Sequence, residues 1–342
     1  MAPSASVRSP SGGDETARTI VAEWRRLTGG SAVRDPERRT IVACSGGADS
    51  SALVLALSGM RPSPVVAHVI HDLRVGGDSI PDRDAAQDLA DALGLEFHSV
   101  SVSIAGTPGN REDAARRARE DVLRSLSHEL GISYVATGHH ADDQLETLLL
   151  RLVRGSAPSG LAGIRQIRWI DEGNAFVRPM LAVTHQDAID LCRRCGWRWR
   201  EDRTNLDSSN ARARLRRDVM PALTRQFPRA AHSAVRTAAA CAEFAKLAEA
   251  RSDLVFKGAT PTERGVRFDR RVLGLESAVV IGEILRRAIR RMADGEGLDR
   301  VTFGDVKRVS ALIRSEFGES RETRCGPLEI RISRDHVSIA MP

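Results

Sequence analysis

Lysine is nearly absent from this chain. Only Lys246, Lys257 and Lys307 occur among its 342 residues, and every other basic side chain is arginine. Any phosphate contact made before residue 246 must therefore use arginine, histidine or backbone N–H groups. Arginine's planar fork suits that task, because it donates in pairs to phosphate and carboxylate oxygens. Long apolar runs are also missing. None approaches the roughly 18 residues that a membrane-spanning helix needs, so no membrane segment is expected. Met1 to Gly13 are rich in Ser, Pro and Gly and lack the apolar stretch of a secretory signal, so they are expected to form a disordered tail. Cysteine is sparse and odd in number: Cys44, Cys192, Cys195, Cys241 and Cys325. Such a set reads as reduced and cytoplasmic rather than as a disulfide framework. Cys192 and Cys195 make a Cys-x-x-Cys, but no second pair stands at metal spacing. Helix or core cysteines are favoured there over a metal or redox site. There are no internal repeats and no coiled-coil run.

What is present is an alternation. Strand-like runs at Thr40–Cys44, Val65–His71, Glu96–Val102 and Tyr134–Gly138 are separated by helical patterns at Ser50–Ser58, Asp82–Leu93 and Glu112–Leu130. A further helix is expected over Asp14–Leu27, with Ile20, Val21, Trp24 and Leu27 on one face. Strands alternating with helices predict an α/β fold, a doubly wound and mostly parallel sheet. Ligands of such sheets sit beyond the carboxyl ends of the strands. Further on, Ile164–Ile170 and Ala175–Val177 suit a hairpin, and Thr184–Cys195 a helix. Past Pro221 come alanine-rich Ala230–Ala250, apolar helices at Val279–Met292 and Thr302–Ile313, and strands at Leu328–Ile332 and His336–Ala340. These predict a helical linker and a small α+β domain.

Two stretches carry chemistry. The first is Ile41-Val-Ala-Cys44-Ser45-Gly46-Gly47-Ala48-Asp49-Ser50-Ser51, an apolar run that stops at a glycine turn and passes at once into a helix. The unpaired N–H groups and dipole of that helix start make an anion site. Glycine lets a phosphate come close to the backbone. No lysine follows, so this is not the Gly-x-x-x-x-Gly-Lys-Ser/Thr loop, and it is not Gly-x-Gly-x-x-Gly. The second stretch, Thr137-Gly-His139-His140-Ala-Asp142-Asp143-Gln-Leu-Glu146, crowds histidines and carboxylates where a strand ends and a helix begins. Asp142 and Asp143 suit a helix N-terminus and can also hold Mg²⁺ with waters and phosphates. Glu146 lies one turn further on a similar face.

Together these stretches resemble the tRNA(Ile)-lysidine synthases, a family of PP-loop ATP pyrophosphatases. Ser45–Ser50 carries the resemblance, with the run from Gly138 through Arg151 and Arg154 to Gly155, and Gly160-Leu-Ala-Gly163. His68-Val-Ile-His71-Asp-Leu-Arg74, Asn110 to Arg119, Arg178-Pro-Met-Leu181, Glu201 to Asp207 and Arg212-x-x-Leu215-Arg216 add to it. Asp72, Glu120 and Ala213 depart from the family's usual residues. The resemblance implies a catalytic PP-loop domain over 14–224, then a helical linker and a small tRNA-binding domain over 225–342. It implies that ATP adenylates the wobble cytidine of a tRNA(Ile) with a CAU anticodon. Free L-lysine then displaces AMP. Ser45, Gly46, Gly47, Ala48, Asp49, Ser50, Ser51 and His71 would bind the nucleotide, and Asp49 and Asp142 would hold Mg²⁺. Asp49, Arg116, Asp142 and His139 would be catalytic. Asp143, Glu146, Arg151, Arg154, Arg212 and Arg216 would meet lysine or tRNA. Relatives of this kind are often dimers, so a homodimer is part of the expectation. Two alternatives share the fold: a tRNA 2-thiolation enzyme, against which the place of the cysteine pair argues, and a silent tRNA-binding homologue, against which the intact motifs argue.

Between Cys192 and Arg217 nine arginines face three acids, with Trp197 and Trp199 interleaved. Alone, this run would read as a solvated charged face. Beside the motifs above it reads as a surface that tracks phosphates and stacks bases, with Arg198, Arg200 and Arg203 as its contacts. Replacing those three arginines together is expected to weaken tRNA binding and to flatten the log–log salt dependence by about 2 units. An unchanged slope in a filter-binding titration would return the run to a solvated face.

Overall fold

A computed structural model describes residues 7–71, 80–102, 111–200, 211–293, 297–316 and 320–342. The chain divides into two compact units, 1–147 with 164–235, and 148–163 with 236–342.

The first unit holds six strands: β1 (Thr40–Ala43), β2 (Val65–His71), β3 (Phe97–Val102), β4 (Tyr134–Ala136), β5 (Ile167–Trp169) and β6 (Ala175–Val177). Their order is β3-β2-β1-β4-β6-β5, parallel throughout except for the β5–β6 hairpin. The chain runs outward from β1 to β3, then crosses back to place β4 on the other side of β1. That reversal opens a crevice beyond the ends of β1 and β4, where such sheets bind ligands. Val42 pairs with Ala136, so the two strands end level and deliver their following loops side by side.

Helices α1 (Glu15–Leu27), α2 (Ala48–Leu57), α3 (Ile80–Leu93), α4 (Arg111–Glu129), the first half of α5 (Ala141–Val153) and α7 (His185–Arg194) belong to the same unit as these strands, while the short α6 (Pro158–Leu161) belongs to the second. Helix α1 buries Ile20, Trp24 and Leu27, and the Trp24 indole N–H donates to Thr40 Oγ1 at 3.0 Å. Every residue of α2 from Ser50 to Leu57 is buried, as expected of a helix apolar on all sides. The expected disordered tail needs correcting from residue 7 onward. Val7 packs on the core, the Arg8 N–H donates to the Cys195 carbonyl and Ser58 Oγ to Ser9 Oγ. Met1–Ser6 lie outside the described residues.

Arginine-bearing α8 (Ala211–Arg214), a π-turn at Leu215–Val219 and α9 (Met220–Gln226) lead into the long helix α10 (Ala230–Lys257). In the second unit β7 (Thr260–Thr262), β8 (Gly265–Asp269), β9 (Arg321–Cys325), β10 (Leu328–Ile332) and β11 (His336–Ala340) form an antiparallel sheet, order β7-β8-β11-β10-β9. Helices α11 (Arg270–Leu275), α12 (Ala278–Met292) and α13 (Phe303–Arg314) accompany it, and Ile281, Ile284, Leu285 and Ile289 of α12 join Leu328, Ile330, Ile332, Val337 and Ile339 in one core.

Gly138 follows β4 and lies against the first turn of α2. A Cβ there would stand 3.1 Å from Asp49 C and Ser50 N, both backbone atoms that cannot swing aside. Gly138→Ala is therefore expected to cost about 1–3 kcal/mol of stability, read from urea unfolding. An unchanged midpoint would show that the two loops are not in register contact.

Candidate active site beyond β1 and β4

The loop after β1 is shaped by its own side chains. Gly46 has φ +83°, a left-handed backbone that favours glycine. A Cβ there would also meet the Asp82 carbonyl at 2.8 Å. The Arg200 N–H donates to the Gly46 carbonyl at 3.1 Å, so the arginine-rich stretch is tied to the loop. Gly47 caps α2 without a side-chain hydrogen bond, which leaves the first N–H groups of the helix for a ligand. Ser50 is spent inside: its hydroxyl accepts from Ser45 N–H at 3.0 Å and donates to the Gly47 carbonyl at 3.1 Å. Ser51 is fully buried. Ser50 therefore sets the shape of the loop, and the exposed Ser45 is the hydroxyl at its rim.

Three helix N-termini converge here. Asp49 lies in the first turn of α2, His140 immediately precedes α5, and His185 opens α7. The α7 start is fixed by a capping box between Thr184 and Asp187. His185 Nδ1 donates to Asp49 Oδ1 at 2.7 Å, and its backbone N–H donates to Asp142 Oδ2 at 2.8 Å. His140 is buried among three carboxylates, with Nε2 at 3.7 Å from Asp49 and 3.5 Å from Asp143, and Nδ1 at 3.4 Å from Asp142. Burial opposes its charge, but Asp142, Asp143 and Asp49 overcome it and lift its pKa to about 9. Its neighbour goes the other way. Burial and the nearby Arg178 guanidinium lower His139 to about 4, and its Nδ1 meets Thr137 Oγ1 at 2.9 Å. Arg178 is itself pushed down to about 10 by burial and the Arg168 charge. At neutral pH, then, His140 is a cation and His139 is a neutral ring.

A second layer lies one turn along α5. Glu146 is buried and clamped by Arg216 Nε at 2.7 Å and Arg212 Nε at 2.9 Å. Arg216 also reaches Asp143 Oδ1 at 3.2 Å, and contact with Glu146 raises its pKa. The half-buried Asp143 and the buried Glu146 are thus both paired with arginine, as burial requires.

A PP-loop domain family model matches residues 19–223. The tRNA(Ile)-lysidine synthase of Solibacter usitatus is 36% identical over 315 residues, covering 89% of this chain and 68% of that one. This chain belongs to the tRNA(Ile)-lysidine synthase family. The Symbiobacterium thermophilum relative is 35% identical over 78% of this chain and 59% of its own, and that of Geobacter sulfurreducens 34% over 89% and 65%. The chain thus spans 59% to 68% of the length of these relatives. A solved U34-tRNA thiolase from Methanococcus maripaludis, 18% identical, shares the fold at a TM-score of 0.53 over 66% of this chain and 77% of its own.

Within this lysidine-synthase scaffold the expected residues fall into groups. Asp49, Asp142, Asp143, Glu146, Arg212 and Arg216 are linked by the contacts above, whereas His139 meets Thr137. Arg116 is exposed on α4 and stands 3.5 Å from Glu120. Arg151 donates to the Gly160 and Gly163 carbonyls, so it braces the turn after α5, and Arg154 is exposed at the end of that helix. Arg200 pairs with Asp82 at 2.9 Å, and Arg198 is exposed. Trp197 and Trp199 pack at the edge of the core, with the Arg193 guanidinium 5.9 Å from the Trp199 ring. Arg203, the His71 side chain and the 201–207 motif lie outside the described residues. His185 went unread in the sequence, because nothing near Thr184 signals that it meets Asp49.

All five cysteines are free, and only Cys241 is not buried. Cys192 Sγ donates to the Ala48 carbonyl at 3.5 Å, and burial pushes its thiol up to about 12. Native protein treated with iodoacetamide at mildly alkaline pH is expected to label at Cys241 alone, with Cys44, Cys192, Cys195 and Cys325 reacting only after unfolding. Rapid native labelling of Cys192, mapped by mass spectrometry, would contradict its place under α2.

Proposed function

We propose that this chain is an ATP-dependent tRNA(Ile)-lysidine synthetase, a ligase forming a carbon–nitrogen bond. It would adenylate the wobble cytidine of the CAU anticodon of tRNA(Ile) and then join lysine to it, releasing pyrophosphate and AMP. The observation that carries the reading is the contact of the two motifs. Gly138 seats the second directly on the helix start that ends the first, so a phosphate site and a carboxylate–imidazole cluster share one crevice.

The donor set fits a nucleotide triphosphate. The uncapped start of α2 supplies N–H groups to a pyrophosphate, with the Ser45 hydroxyl at the rim. Asp49 and Asp142 would hold Mg²⁺, which neutralises phosphate charge when bound. His185 holds Asp49 through its ring and Asp142 through its N–H, and so sets where both carboxylates point. Arg116 is the cation proposed for the charge that develops at the α-phosphorus. In the second step His139 and Asp142 are the groups proposed to take the proton from lysine's amine. Asp143 and Glu146 are the carboxylates proposed for lysine's ammonium group.

The tRNA would be held by the arginine-rich stretch and by the second unit. No helix among the described residues is long and apolar enough to cross a membrane. A cytoplasmic site of action and a homodimer belong to the same proposal, the first supported by the free cysteines.

Incubation with ATP, lysine and an isoleucine tRNA bearing CAU is expected to yield ATP-dependent lysine incorporation with pyrophosphate release. Sulfur incorporation, or tRNA binding without ATP turnover, would favour the other readings. Asp49→Ala is expected to cut adenylation by at least about 100-fold while tRNA affinity stays nearly unchanged. A large loss of affinity would remove Asp49 from the nucleotide site.

A further inference from the structure

A ring nitrogen from His140, a ring nitrogen from His185 and a carboxylate oxygen of Asp49 all lie within 4.8 Å of one another. Each comes from the start of a different helix, so their spacing is fixed by the fold rather than by a mobile loop. Two imidazoles and one carboxylate are not the donor set that Mg²⁺ selects, since that ion prefers oxygen ligands. They are the set of three protein ligands with one open position that borderline divalent ions take, Zn²⁺ above all.

A second observation points the same way. His140 is 6% exposed, and its Nδ1 is buried with no hydrogen-bond partner. The Asp142 carboxylate lies 3.4 Å away but outside hydrogen-bond geometry. A buried polar nitrogen left without a partner costs free energy unless something satisfies it. Around it, Asp142 accepts from the His185 N–H and Asp143 from the His140 N–H, so both outer carboxylates orient the two histidine-bearing helix starts. Outer partners of this type hold ligand rings in place at metal sites.

We infer that Asp49, His140 and His185 form a site for a borderline divalent transition-metal ion, Zn²⁺ in particular, with the fourth position open to water or an anionic oxygen. Asp49 is also the carboxylate proposed for the nucleotide's Mg²⁺, so Zn²⁺ and a magnesium nucleotide would compete for it. That consequence rests on the proposed function, whereas the binding itself does not.

The test uses the untagged chain and metal alone. Calorimetry with Zn²⁺ is expected to show one ion per chain. Co²⁺ is expected to give d–d absorption without the near-ultraviolet band of a thiolate ligand. His185 is half exposed, so His185→Ala should keep the wild-type circular dichroism and melting curve while losing at least about tenfold in Zn²⁺ affinity. Asp49→Asn should lose affinity as well. No stoichiometric Zn²⁺ binding, a Co²⁺–thiolate band, or wild-type affinity in both variants would overturn the site. Because no ATP, lysine or RNA is present, a failure here leaves the ligase assignment to its own assay.

Discussion

The arrangement depends on one buried cation. His140 stands between Asp49, Asp142 and Asp143, at 3.4 to 3.7 Å from each. Three carboxylates this close would repel one another, and burial would raise their pKa values. Instead Asp142 and Asp143 are held low, with His140 the charge that offsets their burial. The helix starts reinforce this. Each N-terminus favours negative charge, and the carboxylates sit in the first turns of α2 and α5 or accept from the first N–H of α7. A dense set of acids is thereby kept ionised in one crevice, which on the proposed function also receives a polyanion.

That density is possible only because the strands end level. Val42 opposite Ala136 brings the turn after β1 beside the turn after β4, and Gly138 removes the one side chain that would hold them apart. The glycine loop is then fixed from both sides, by the Asp82 carbonyl against Gly46 and by the Arg200 N–H on its carbonyl. Ser50 closes the loop from within. A loop shaped by its own hydrogen bonds presents its remaining N–H groups without reorganising, which is what electrostatic stabilisation of a phosphate requires.

Much of this was legible in the sequence. β2, β10 and β11 match the expected runs residue for residue, and α1, α2, α4 and α7 lie within two residues of theirs, because strand alternation and helical periodicity are local signals. β7, β8 and β9 left no such mark: Thr260–Thr262 and Arg321–Cys325 are polar edge strands of a sheet buried on one face, where few positions need to be apolar. At the site, spacing revealed which residues gather but not how they divide the work. His139 and His140 look equivalent in sequence. Only the buried Arg178 beside one and three carboxylates around the other set them apart. Ser50 and Ser51 look alike as phosphate ligands in sequence, but one braces the loop and the other is fully buried. His185 is 136 positions from Asp49, and no local pattern announces a pairing at that distance.

The charges of the crevice also explain why a single histidine gives up its proton. Asp49, Asp142, Asp143 and Glu146 face His140, Arg212 and Arg216, four anions against three cations drawn tightly together. Arg178 cannot share in that pairing: it donates to the Arg165 carbonyl at 2.6 Å and is buried, so its field falls on His139. Protonating His139 would set a second cation in the field of the buried Arg178. Leaving it neutral avoids that repulsion and keeps one uncharged ring in a site otherwise made of ions. On the proposed function a triphosphate and an amine meet in this crevice, and the surrounding charges determine which of the two adjacent imidazoles stays neutral beside them.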